Sequence, residues 1–159
     1  MSTPTSTALT AGTTAPDFSL PSTSGEATAL STFRGERNVL LAFFPKAFTS
    51  VCTTELCAFG EDYDAFSAAG VEVVPISMDS VDVLKEFRAA HDMRVHLLSD
   101  VDGTVVRQYG VLWSSGTVAN RAYFLIDTAG VIRWAHAEEH PGLRRENAEI
   151  LERIRSVIE

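Results

Sequence analysis

The chain is poor in cysteine: 159 residues contain only Cys52 and Cys57. That is too few for a disulfide scaffold, so a redox or catalytic thiol outranks a structural staple. No apolar run approaches the ~18 to 20 residues of a membrane-spanning helix, and no membrane partner is expected. Basic clusters are also missing. The formal charge is −8, which argues against a nucleic-acid surface. The four histidines (His91, His96, His136, His140) are scattered and the cysteines do not form a C-x-x-C pair, so neither a metal site nor another cofactor is expected. Residues 1–11 are Ser/Thr-rich, with no Lys, no Arg and no apolar core. They read as a flexible tail rather than a secretory signal, and a cytoplasmic protein is expected.

What is present is enough apolar content, 45% of residues, for one well-packed domain over residues 12–159. Residues 16–20 and 27–30 are short alternating pieces joined across Gly25, predicting an opening hairpin. The apolar run 39–44 reads as a buried strand stopped by Pro45. From Cys52, the residues Leu56, Phe59, Tyr63 and Phe66 recur at helical spacing up to Gly70, predicting one long helix. A second strand is expected at 71–78, a helix from Ser80, a third strand at 96–99 and a short helix at 104–109. Residues 123–126 and 131–134 flank Asp127-Thr-Ala-Gly130, a hairpin with glycine where positive φ is tolerated. Residues 143–158 form an amphipathic pattern. This order predicts an α/β fold, a central mixed sheet with helices on both faces. The 39–44 strand delivers its C-terminal end to the following loop, where open α/β sheets bind ligands.

That loop carries the two cysteines: Pro45-Lys-Ala-Phe-Thr49-Ser-Val-Cys52-Thr-Thr-Glu55-Leu-Cys57. Cys52 falls in the first turn of the expected helix. Cysteine reacts as thiolate, and unpaired N–H groups with the positive end of the dipole favour that anion. Thr49, three residues earlier, can place a hydroxyl beside the sulfur, and the amides of Val51 and Cys52 can aim at the same spot. Pro45 would shield the thiol from solvent and fix the turn.

The pattern Pro45-x-x-x-Thr49-x-x-Cys52 resembles the active-site motif of the peroxiredoxins. The likeness extends to Gly12-x-x-Ala-Pro16-Asp-Phe18, Phe33-Arg-Gly35 and Asn120-Arg121. The segments Phe43-Phe-Pro-Lys-Ala-Phe-Thr49 and Ala119-Asn-Arg121 look closest to the AhpE-like branch, whereas Cys57 resembles the second cysteine of the PrxQ (bacterioferritin-comigratory) branch. The resemblance implies a thioredoxin-like fold and peroxidase activity, with Cys52 as nucleophile and Arg121 as the active-site arginine. Glu55 is then expected to orient Arg121 or Thr49. It further implies a hydroperoxide substrate, a Cys52–Cys57 disulfide and a thioredoxin-like protein as reductant. On an ideal helix, residues five apart have Cα atoms ~8.6 Å apart, beyond the ~7 Å a disulfide allows. The first helix must therefore unwind before the two sulfurs can join.

Other readings stay open at this stage. Apolar neighbours Leu56 and Phe59 also suit Cys57 as a buried, inert thiol, which would leave a one-cysteine peroxidase. A redox sensor that relays oxidation to a partner would use the same Cys52 chemistry. Monomer and homodimer are both compatible, and Phe48, Trp113 and Val118 could line an apolar edge for either substrate or partner. Glu138-Glu-His140 reads as a solvated loop.

Overall fold

The computed structural model describes residues 8–140 and 142–158. Near its start, β1 (Ser19–Leu20) pairs antiparallel with β2 (Thr28–Ala29), with Gly25 at φ +96° in the connection. One 3₁₀ turn, Leu30–Phe33, leads to β3 (Asn38–Phe43). The helices α1 (Ser50–Glu61) and α2 (Tyr63–Ala68) follow, then β4 (Val71–Ser77), α3 (Val81–His91), β5 (Leu98–Ser99) and α4 (Thr104–Gln108). The chain closes with β6 (Ala122–Ile126), β7 (Ile132–Ala137) and α5 (Asn147–Ile158).

The main sheet has the order β5-β4-β3-β6-β7. β3 runs parallel to β4 and antiparallel to β6, so the sheet is mixed, as the element order predicted. A strand covered on both faces needs apolar residues at successive positions, and Val39 to Phe43 are all buried. Alternation then divides them. Leu40 and Ala42 face Leu56 and Phe59 of α1, Leu84 and Phe87 of α3, and Ile150 and Ile154 of α5. Val39, Leu41 and Phe43 face Phe18, Leu20, Val105, Val106 and Tyr109. Pro75 is tolerated inside β4 because β5 pairs only from Ile76 onward, leaving one side of Pro75 without a ladder.

Three expectations change. The long helix from Cys52 breaks at Asp62 (φ −99°, ψ 17°). Asn147 Nδ2 donates to the Asp62 carboxylate at 2.9 Å, and the bend brings the Phe59 and Phe66 rings to 5.7 Å. The third strand shortens to two residues, because Leu97 N–H bonds the Thr23 hydroxyl at 3.0 Å instead of a strand partner. The last helix starts at Asn147 rather than at residue 143. Leu143 is 47% exposed, and Arg145 N–H is directed to the Tyr123 hydroxyl. Of the expected tail, residues 1–7 lie outside the described residues, while Leu9 N–H donates to the Tyr109 carbonyl at 3.2 Å.

Candidate active site

β3 ends at Phe43, and residues 44–49 carry the chain from the sheet to the start of α1. Asp79 holds this loop: its Oδ2 accepts from Ala47 N–H and from the Ser77 hydroxyl, both at 2.8 Å. Phe48 adopts φ +66°, a conformation that costs a non-glycine residue about 1–2 kcal/mol. Its ring is 53% exposed and rests against Phe87 at a centroid distance of 4.9 Å. Such strain is retained where the neighbouring structure over-determines it, often beside a functional site.

Thr49 is the N-cap of α1, but its side chain does not cap the helix. Its hydroxyl donates to the Lys46 carbonyl at 2.8 Å, leaving its lone pairs to accept. The first intrahelical bond runs from Thr53 N–H to the Thr49 carbonyl, so the amides of residues 50–52 have no acceptor within the helix. Cys52 sits at this positive end, 1% exposed. Pro45 is half-buried in the preceding loop.

Tertiary folding brings Arg121 to the thiol across 69 positions of sequence: its Nη2 donates to Cys52 Sγ at 3.0 Å. Nη1 of the same guanidinium donates to Glu55 Oε1 at 2.5 Å, and the Tyr123 hydroxyl donates to Glu55 Oε2 at 2.5 Å. Arg121 and Glu55 are buried together. Burial pushes the Glu55 carboxyl above the usual carboxylate range, against the pull of Arg121 and Tyr123. Burial also opposes the charge on Arg121, but Glu55 and the Cys52 sulfur outweigh it and hold the guanidinium more firmly protonated. The backbone of Arg121 is fixed as well. Its N–H donates to Asn120 Oδ1 at 2.8 Å, and its carbonyl accepts from Glu138 N–H at 2.9 Å.

Of the residues singled out in the sequence, Cys52, Arg121 and Glu55 converge in one cluster. Glu55 pairs with Arg121, and the Thr49 hydroxyl donates to the Lys46 carbonyl. Cys57 is partly buried on α1 and opens into a different cleft, of about 470 Å³, with Thr54, Glu61, Arg144 and Asn147 among its lining residues. Burial and the nearby Glu61 push its thiol up. Both cysteines are free, and α1 is continuous through both.

Sequence reading missed Tyr123, Asp79 and Arg145, and misplaced Glu138. Glu139 and His140 are exposed loop residues, as expected, but the Glu138 side chain is buried, and Arg145 Nε and Nη2 donate to its two oxygens at 3.0 and 3.3 Å. Strand alternation could have found Tyr123, two residues after Arg121 and therefore on the same side of β6. No local signal marks Asp79 or Arg145.

The chain matches the AhpC/TSA family over residues 11–135. It is 40% identical over 131 residues to peroxiredoxin Bcp of Escherichia coli (strain K12), spanning 78% of this chain and 83% of that protein. The chain belongs to the AhpC/TSA family of peroxiredoxins. Among solved structures, this peroxiredoxin superposes on peroxidoxin BcpB of Mycobacterium tuberculosis with a TM-score of 0.84 at 30% identity, covering 94% of this chain and 98% of the other. A reduced 2-Cys peroxiredoxin of Plasmodium vivax gives a TM-score of 0.87 at 28% identity, covering 94% and 82%. The fold is thioredoxin-like, and the enzyme is a thiol peroxidase of the Bcp/PrxQ type. No described helix is long and apolar enough to cross a membrane.

Proposed function

We propose that this peroxiredoxin reduces hydroperoxides through Cys52 and recycles through Cys57. The observation that carries the reading is the 3.0 Å contact from Arg121 Nη2 to Cys52 Sγ at the first turn of α1. A guanidinium keeps its charge under all working conditions, and its fork reaches sulfur and an incoming peroxide oxygen together. The Cys52 thiolate attacks the terminal oxygen of the hydroperoxide. An S–O bond forms, the O–O bond breaks, and the leaving alkoxide or hydroxide takes a proton. Arg121 and the amides of the first turn stabilise the charge as it moves onto oxygen. Thr49, its own proton committed to Lys46, accepts from the peroxide O–H, and Pro45 excludes bulk water.

The product is a sulfenic acid on Cys52. The Cys57 thiol condenses with it, releasing water and leaving a Cys52–Cys57 disulfide. A thioredoxin-like dithiol protein then reduces this disulfide by exchange. Two observations support a locally unwound intermediate. Both cysteines lie in one continuous helix, where a five-residue separation exceeds the reach of a disulfide. In the wound form Cys57 is also held as thiol by burial and Glu61. A cytoplasmic site of action is part of the same reading.

Intact-mass measurement after one equivalent of hydrogen peroxide, without reductant, tests it. A loss of two hydrogens, absent in Cys57→Ser, supports the two-cysteine cycle. The gain of one oxygen, trapped on Cys52 by a sulfenic-acid reagent, makes this a one-cysteine enzyme instead. Cys52→Ser should abolish peroxide consumption in either case.

A further inference from the structure

The turn that must unwind for Cys57 to reach Cys52 also carries Glu55. In the wound helix, the Glu55 carboxylate is held from two sides, by Arg121 and by the Tyr123 hydroxyl. Arg121 is accounted for by the chemistry at sulfur, whereas the Tyr123 hydroxyl bonds to Glu55 and the Arg145 amide. Its ring is fully buried on β6, stacked 6.2 Å from Trp134 and 6.4 Å from His136. A phenylalanine would fill the same space. The hydroxyl adds two hydrogen bonds: it donates to Glu55 Oε2 and accepts from Arg145 N–H at 3.0 Å. Arg145 is itself anchored, its guanidinium paired with both oxygens of the buried Glu138. A rigid strand and the segment before α5 thus aim one O–H at the helix turn between the two cysteines.

We infer that Tyr123 is a latch on this turn, a positioning residue that keeps the Cys52–Cys57 segment wound until Cys52 has reacted. Any opening of the turn withdraws Glu55 and breaks the Tyr123 bond, so the hydroxyl raises the cost of opening without touching peroxide or sulfur. The latch governs how long the sulfenic acid waits before condensation, and that consequence rests on the two-cysteine cycle proposed above. A slow-opening turn keeps the peroxide-reactive form intact, at the expense of longer exposure of the sulfenic acid to a second oxidation.

The test compares reduced Tyr123→Phe with the reduced wild-type protein by amide hydrogen exchange resolved along the chain. Helix-bonded amides between residues 53 and 57 should exchange roughly ten- to a hundredfold faster in the variant, the population change expected from losing one hydrogen bond to a charged group. Those of β3 should be unaltered. Unchanged protection at 53–57, or equal acceleration in β3, overturns the latch. In parallel, disulfide formation is timed after one equivalent of hydrogen peroxide. Faster condensation in Tyr123→Phe supports the latch, because damage to the site would slow it, and an equal or slower rate counts against it. Should the wild-type protein itself stop at the sulfenic acid, the role of Cys57 fails, and the exchange comparison alone decides the role of Tyr123.

Discussion

Arg121 joins Glu55 and the Cys52 sulfur through one guanidinium, and the two functions separate on substitution. Arg121→Ala removes the donor to Cys52 Sγ, and the second-order rate with hydrogen peroxide should fall by about 10²–10³ in stopped-flow measurements. The same change leaves Glu55 buried with its ion-pair partner gone, which should cost about 3–5 kcal/mol in denaturant unfolding. The pH dependence follows from burial, which raises the folded-state pKa of Glu55. A raised carboxyl binds more protons folded than unfolded, so its contribution to stability falls as pH rises above the ordinary value of 4.5. The deficit of Arg121→Ala should therefore be smallest near that pH and grow toward neutrality. A deficit that is flat with pH would mean that Glu55 finds another partner. The sequence made Cys52 legible through its motif, and Arg121 only through resemblance, because nothing local ties two residues 69 positions apart. Glu55 was visible as a candidate, while its partner Tyr123 was not.

At the level of elements, the β6–β7 hairpin shows how a short turn positions a distant residue. Asp127 Oδ1 accepts from Ala129 N–H at 2.9 Å and Val131 N–H at 3.0 Å, while Oδ2 accepts from Arg133 at 3.3 Å. Gly130 takes the positive φ of +87° that closes the turn. Burial works against the Asp127 charge, but Val131 N–H, Arg133 and Ala129 N–H outweigh it and hold the carboxyl below its ordinary value of 3.8. A depressed carboxyl contributes stability above that value, and loses it as pH falls through the folded-state pKa. Asp127→Ala should cost about 1 kcal/mol at pH 7, and its difference from wild type should shrink below about pH 3.8. Unfolding curves at both pH values check this. The hairpin was legible because its signal is local. The break in the helix at Asp62 was not, since it depends on Asn147, 85 residues away.

For the molecule as a whole, the sheet separates two cores with different duties. The face of α1, α3 and α5 carries the thiol, and the opposite face, centred on Tyr109, ties down the start of the chain. Tyr109 is fully buried, its ring 5.2 Å from Phe124 and 5.5 Å from Phe43, and its hydroxyl donates to the Pro16 carbonyl at 2.6 Å. Tyr109→Phe keeps the ring and orphans that carbonyl, so it should cost about 1–2 kcal/mol and lower Tm by roughly 2–8 °C. The peroxide rate should stay as in wild type, because the sheet lies between Tyr109 and Cys52. Thermal scans and stopped-flow rates check the pair of outcomes. A slowed peroxide reaction would show that the two faces are coupled.

The mixed α/β order, the buried central strand, the hairpin turns and the cysteine at a helix start were readable from the amino-acid order alone. Each of these is written in spacing over a few residues, where helix and strand periods and turn chemistry act. Which charges meet the sulfur depends on how the elements pack together. The ion pair of Glu55 with Arg121, the Tyr123 hydroxyl that seals it, and the Asp79 carboxylate that holds the active loop are contacts between separate elements. The first two form because β6 and α1 are packed into a dry core where polar groups must find partners.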